Sequence, residues 1–139
     1  MNGCYRHGID GKGRLFVPAK LREELGASFY TTIYLDNSLA MYSMDAWQEL
    51  KKKIEAQPIA KARQMRLMLF PSAVLCEPDA QGRVVLPKKL RDFACLDKEA
   101  VIVGVSDHAE IWNAEKWDEF ERSSMSSELL ASAMNELEL

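Results

Sequence analysis

Asp10-Gly-Lys-Gly-Arg-Leu-Phe-Val-Pro-Ala-Lys-Leu-Arg22 returns 69 positions later as Asp79-Ala-Gln-Gly-Arg-Val-Val-Leu-Pro-Lys-Lys-Leu-Arg91. Seven of the thirteen positions are identical, and 15–17 and 84–86 are apolar in both copies. The likeness resumes downstream with one extra residue: Met41-Tyr42 and Trp47 answer Ile111-Trp112 and Trp117. A period of about 70 residues is too long for a solenoid, so the chain reads as a duplicated unit. The two copies span 5–55 and 74–124, with a helical connector at 56–73 and an acidic tail at 125–139.

Both copies follow one local grammar. A short strand leads into Asp-x-x-Gly-Arg, which is turn chemistry: Asp10 and Asp79 can accept bonds from the backbone ahead, and Gly13 and Gly82 tolerate positive φ. Three apolar residues then predict a buried strand. Pro18 and Pro87 suit the first position of a short helix, whose apolar face is Leu21 and Leu25 in the first copy, with Gly26 as the stop. Strand-like runs follow at 29–35 and 39–42, and at 99–105 and 109–112. A second helix closes each copy, capped by Ser43 or Asn113, with Trp47, Leu50 and Ile54 or Trp117 and Phe120 on its inner face. Pro58 and Pro71 bracket a connecting helix that exposes Lys61, Arg63 and Arg66. The Leu/Ala/Met pattern from Leu129 to Leu137 predicts either a short terminal helix or a frayed end. Each copy is only about 50 residues, too small for a core of its own, so the two should pack as a pseudo-symmetric pair.

Composition narrows the function. Apolar residues make up 47% of the 139, enough for a real core. No apolar run reaches membrane-spanning length, and Met1 to Arg14 lacks the apolar stretch of a signal peptide, so a cytoplasmic protein without a membrane partner is expected. Three cysteines (Cys4, Cys76 and Cys95) without CxxC spacing point away from a disulfide framework, and Cys4 with His7 is only half of a metal site. No metal and no cofactor are expected. His7 and His108 lie near no nucleophile, and no Gly-rich phosphate loop is present, so neither an enzyme nor a small-molecule substrate is expected. The net charge is −3, but 10–22 and 79–91 each hold four basic residues against one acid, which leaves −9 on the rest. Two basic islands of one design in an acidic chain suit an anionic partner.

The paired motifs carry a family resemblance. His7-x-x-Asp10-x-Lys12-Gly-Arg-Leu15, then Val17-Pro-Ala19 and Arg22, resemble the first repeat of the MraZ family. Asp79-x-Gln81-Gly-Arg83, Pro87, Leu90-Arg91, Gly104 and Glu110-Ile-Trp112 resemble the second, and the likeness covers about residues 1–120. It implies an α+β fold of two tandem AbrB-like swapped-hairpin β-barrel repeats with short helices. It also implies a bacterial DNA-binding transcriptional regulator of the division and cell-wall gene cluster, a repressor binding short direct repeats in double-stranded promoter DNA. A ring-like homo-oligomer associated with the nucleoid is implied as well. An antitoxin of the same fold group is the alternative, but such chains carry one repeat and a long disordered tail.

Within the motifs, guanidinium groups suit bidentate contact with phosphate or guanine, which marks Arg14 and Arg83 as DNA-contact candidates. The competing reading has them only pinning their turns through Asp10 and Asp79. Those aspartates, with Gly13 and Gly82, are read as orienting the turns, since an acid repels phosphate. Lys12, Lys20, Arg22, Lys88, Lys89 and Arg91 form either a solvated helix face or a set of phosphate contacts. Trp47, Trp112 and Trp117 are read as structural.

Overall fold

A computed structural model describes residues 1–139. The first unit runs β1 (Cys4–Gly8), β2 (Arg14–Phe16), α1 (Ala19–Leu25), β3 (Phe29–Ile33), β4 (Leu39–Ser43) and α2 (Met44–Glu55). The connecting helix α3 (Ile59–Leu69) leads to β5 (Val74–Cys76), β6 (Arg83–Val85), α4 (Lys88–Phe93), β7 (Glu99–Val105), β8 (His108–Asn113) and α5 (Ala114–Ser124). A last helix, α6 (Ser127–Glu136), settles the open reading of the tail, and every one of its residues is exposed.

The local signals act as the sequence predicts, with small shifts. Ser43 and Asn113 cap α2 and α5, their side chains accepting from the backbone N–H of Ala46 and Lys116. Pro18 and Pro87 sit one place earlier than expected, at the N-cap, with ψ of 143° and 152°. The Pro18 carbonyl accepts from the N–H of both Leu21 and Arg22, an N-cap's task, and the proline ring fixes φ but not ψ. The first hairpin strand stops at Ile33, because Leu35–Asn37 forms a 3-10 turn with Asp36 and Asn37 in the left-handed region. Phe29 faces Ser43 and Ala100 faces Asn113, so the counterpart of Phe29 is Ala100, one residue later than the expected alignment. The shorter hairpin turn at Ser106 and Asp107 absorbs the difference.

The units do not merely touch; they exchange strands. One six-stranded antiparallel sheet has the order β1-β7-β8-β4-β3-β5, and a separate ribbon pairs β2 with β6. Strand β1 of the first unit lies on β7 of the second, and β5 of the second lies on β3 of the first. At the sheet centre Ala40 pairs with its counterpart Glu110; in the ribbon Leu15 pairs with its counterpart Val84. A pseudo-twofold axis therefore passes through both pairs.

Strand alternation explains the layering. Leu39 and Met41 of β4 enter one cluster of 18 buried residues drawn from both units, which also holds Leu15, Val17, Leu21, Val84, Leu86 and Leu90. Ala40 and Tyr42, on the opposite face, are covered by Trp47 of α2. On the second unit Val101, Val103 and Trp112 are covered by Trp117 of α5. The hairpin strands β4 and β8 are thus sandwiched, and the tryptophans are structural as read. The fold is mixed α+β with an antiparallel sheet.

Candidate functional site

Leu15 and Val84, at the middle of the ribbon, are buried at 0% and 2% exposure. Their neighbours Arg14, Phe16, Arg83 and Val85 must then point the other way, and the register pairs Arg14 with Val85 and Phe16 with Arg83. The two arginines stand diagonally on one outward face, two positions apart along the ribbon and related by the pseudo-twofold axis. The sequence reading did not include Phe16 and Val85 in this face, though the period-two alternation around Leu15 and Val84 carries that signal.

Each turn is built around its aspartate. Asp10 Oδ1 accepts from the backbone N–H of Lys12 at 2.9 Å and of Arg14 at 3.0 Å, and Oδ2 accepts from Arg14 Nε at 2.6 Å. Asp79 does the same with Gln81 at 2.9 Å, Arg83 at 2.9 Å and Arg83 Nε at 3.0 Å. The backbone and side-chain hydrogen bonds from Arg14 hold the Asp10 carboxyl down at about 2; those from Arg83, led by the backbone bond, also lower Asp79. Both acids are therefore ionised at neutral pH. Only Nε of each arginine is engaged, so Nη1 and Nη2 have no protein partner. The turn-pinning role and an outward-facing role belong to different edges of one guanidinium.

The basic islands of the sequence are divided and recombined in space. Because β2 and β6 are antiparallel, the start of α1 lies by the turn of the second unit, and the start of α4 by the turn of the first. Val17 N–H donates to the Gly82 carbonyl at 2.9 Å and Leu86 N–H to the Gly13 carbonyl at 2.8 Å. Gly82 backs onto the Arg22 guanidinium and Gly13 onto that of Arg91, where there is no room for a Cβ. Arg22 Nε donates to the Val17 carbonyl at 2.8 Å, and Arg91 Nε to the Leu86 carbonyl at 2.9 Å. Arg22 also lies 5.6 Å from the centroid of the Phe16 ring. One end of the ribbon thus joins Lys12 to α4, and the other joins the second turn to α1. Lys20, Lys88 and Lys89 are exposed in the first turns of these helices, and Lys88 pairs with Asp92 at 2.7 Å. The arrangement can offer two guanidinium edges, flanked by exposed ammonium groups, to an acceptor-rich or anionic surface.

No group of His, Cys, Asp and Glu side chains is placed to hold a metal ion, and no helix is long and apolar enough to cross a membrane. The family described as "MraZ protein, putative antitoxin-like" matches the chain twice, over residues 1–68 and 69–137. A protein of Moorella thermoacetica named "Transcriptional regulator MraZ" is 45% identical over 140 residues, covering 99% of this chain and 98% of the relative. Proteins of the same name from Natranaerobius thermophilus and Desulforamulus reducens are 46% and 48% identical, covering 90% and 85% of this chain and 89% and 84% of theirs. Two successive matches on a chain that carries its turn motif twice, with such relatives along nearly its whole length, place it: the chain belongs to the MraZ family.

Proposed function

We propose that this chain is a sequence-specific DNA-binding transcriptional regulator that presents the outer face of the β2–β6 ribbon to double-stranded promoter DNA. The observation that carries the reading is the pair of pinned arginines, Arg14 and Arg83, on the outer face of the two-stranded ribbon with their Nη groups free of protein partners. Such a ribbon fits the major groove, and a guanidinium matches guanine O6 and N7 or two phosphate oxygens. The shared name of the relatives agrees with it. Lys12, Lys20, Lys88 and Lys89 are assigned to phosphates, while Arg22 and Arg91 brace the turns against which they pack. The reciprocal strand exchange supports an AbrB-like swapped-hairpin classification.

The regulator is further read as a homo-oligomer, ring-like, that represses the division and cell-wall genes by binding short direct repeats at the nucleoid. A chain of net charge −3 gains little from one protomer's few cations, and several side by side multiply weak contacts. The test is operator affinity, measured by fluorescence anisotropy on DNA from upstream of the chain's own gene. Arg14→Ala and Arg83→Ala should each weaken binding by about 5- to 150-fold if a base contact is lost. If the lost contact is to phosphate, the salt slope should flatten by about one unit. Wild-type affinity in a folded double variant would remove these arginines from the site.

A further inference from the structure

Two apolar features of this chain face solvent without a partner. The first is a groove of about 440 Å³ between the β3–β4 hairpin, α2, α3 and the end of α4, lined entirely by hydrophobic side chains, among them Tyr34, Leu35, Leu50, Met65, Met68 and Phe93. Leu35 and Met68 are 69% and 54% exposed there. The second is α6. At 3.6 residues per turn its Leu129, Leu130, Ala133, Met134 and Leu137 fall within an arc of about 140°, and none is buried. A helix this short is marginal in water without tertiary contacts, so a covered apolar face is what would hold it.

Charge assigns the one to the other. Two cations stand at the groove, Lys53 near the end of α2 and Lys61 near the start of α3. Lys53 borders the same Tyr34, Tyr42 and Leu50, beside Glu49 and Asp107, and Lys61 lies one turn before Met65 on the same helix face. Neither Lys53 nor Lys61 has an ion-pair partner, whereas the neighbouring acids are engaged, Glu49 by Lys52 at 3.5 Å and Asp107 by His108 at 2.8 Å. The segment from Ser123 to Leu139 has no Lys or Arg and carries Glu128, Glu136 and Glu138, none of them paired. An acidic amphipathic helix thus matches an apolar groove with two unpaired cations at its rim.

We propose that α6 of one copy seats its Leu129–Leu137 face in the α2–α3 groove of a second copy. This rests on the homo-oligomeric reading above and supplies its contact. The helix and the groove are different surfaces of the chain, so the contact is heterologous, head-to-tail, and repeats from copy to copy.

The test uses the full chain in two variants, one with Leu130→Glu and Met134→Glu in α6 and one with Met68→Glu in the groove. All three positions are exposed, so each variant should keep the folded core, read as a wild-type near-UV circular dichroism spectrum. In sedimentation velocity the wild type should assemble, and each variant should associate on the order of 100-fold more weakly or worse. Mixed at equal concentration, the two variants should form a one-to-one dimer and nothing larger, because one intact helix and one intact groove remain. A helix variant that assembles like the wild type would overturn the contact and leave the oligomeric reading standing. A mixture that stays monomeric would overturn it too, since the helix would then serve its own groove. A monomeric wild type would remove both readings.

Discussion

Because the Arg14 backbone and guanidinium hold Asp10, its carboxylate survives to about pH 2. A carboxyl depressed from 3.8 contributes stability that is fully present above that ordinary value and lost as pH falls through the lowered one. An acid titration followed by carboxyl NMR should therefore show Asp10 and Asp79 ionising below the ordinary aspartate value of 3.8. Asp10→Asn should lose less stability than the wild type between pH 3.8 and about 2; equal losses would detach the turn from this carboxylate. The turn glycines should differ from each other. Both have φ near +80°, which costs a side chain about 1–2 kcal/mol. A Cβ on Gly13 would meet the Leu86 carbonyl oxygen at 2.8 Å, whereas one on Gly82 would meet the Arg22 guanidinium at 2.8 Å. Backbone cannot yield as a long side chain can. Gly13→Ala should thus destabilise by about 2–4 kcal/mol and Gly82→Ala by about 1–2 kcal/mol, measured by urea unfolding. The turns were legible in the sequence because Asp-x-x-Gly-Arg closes on itself within five residues. The reach of Arg22 to Gly82 was not, since those residues are far apart in sequence and meet only through the exchanged ribbon.

Elements show the same division. Helix caps depend on neighbours in sequence, and Ser43 and Asn113 act as read. The ends of β3 and the offset between β3 and β7 depend on turn geometry, which Asp36 and Ser106 reach by left-handed backbone that composition signals only weakly. The second turn also places His108 in an acidic setting. Its Nδ1 and Nε2 lie 2.8 Å from Asp107 and Glu110, with Tyr42 stacked on the ring and Tyr34 tilted against it. The hydrogen bond to Glu110, and then that to Asp107, raise the imidazole above its ordinary 6.5 in spite of burial. A raised value means that the charged ring stabilises the fold fully below 6.5, and that this contribution is lost as pH rises through the raised value. Unfolding midpoints from about pH 5.5 to about pH 8.5 should accordingly decline, and His108→Gln should flatten the decline. An unchanged slope in that variant would place the pH dependence elsewhere.

At the scale of the molecule, the duplication was plain in the sequence, but the exchange of strands was hidden. A first strand that fits one copy fits the other, so similarity between the copies erases the signal that would distinguish own from foreign pairing. The exchange has a thermodynamic result: residues 1–57 alone lack the partners of β1, β2 and one side of both β3 and β4. That fragment should be unfolded or should self-associate, by circular dichroism and sedimentation; a stable soluble monomer would contradict the interleaved core. Joining the two copies in one chain has a further effect at the ribbon. Two separate identical subunits would show DNA the same face from either direction and so require a palindrome. Here Lys12 is matched by Gln81 and Phe16 by Val85, so the ribbon has a front and a back. A reading head with polarity can follow an element that runs one way along the promoter, and successive copies facing the same direction can count it out in tandem.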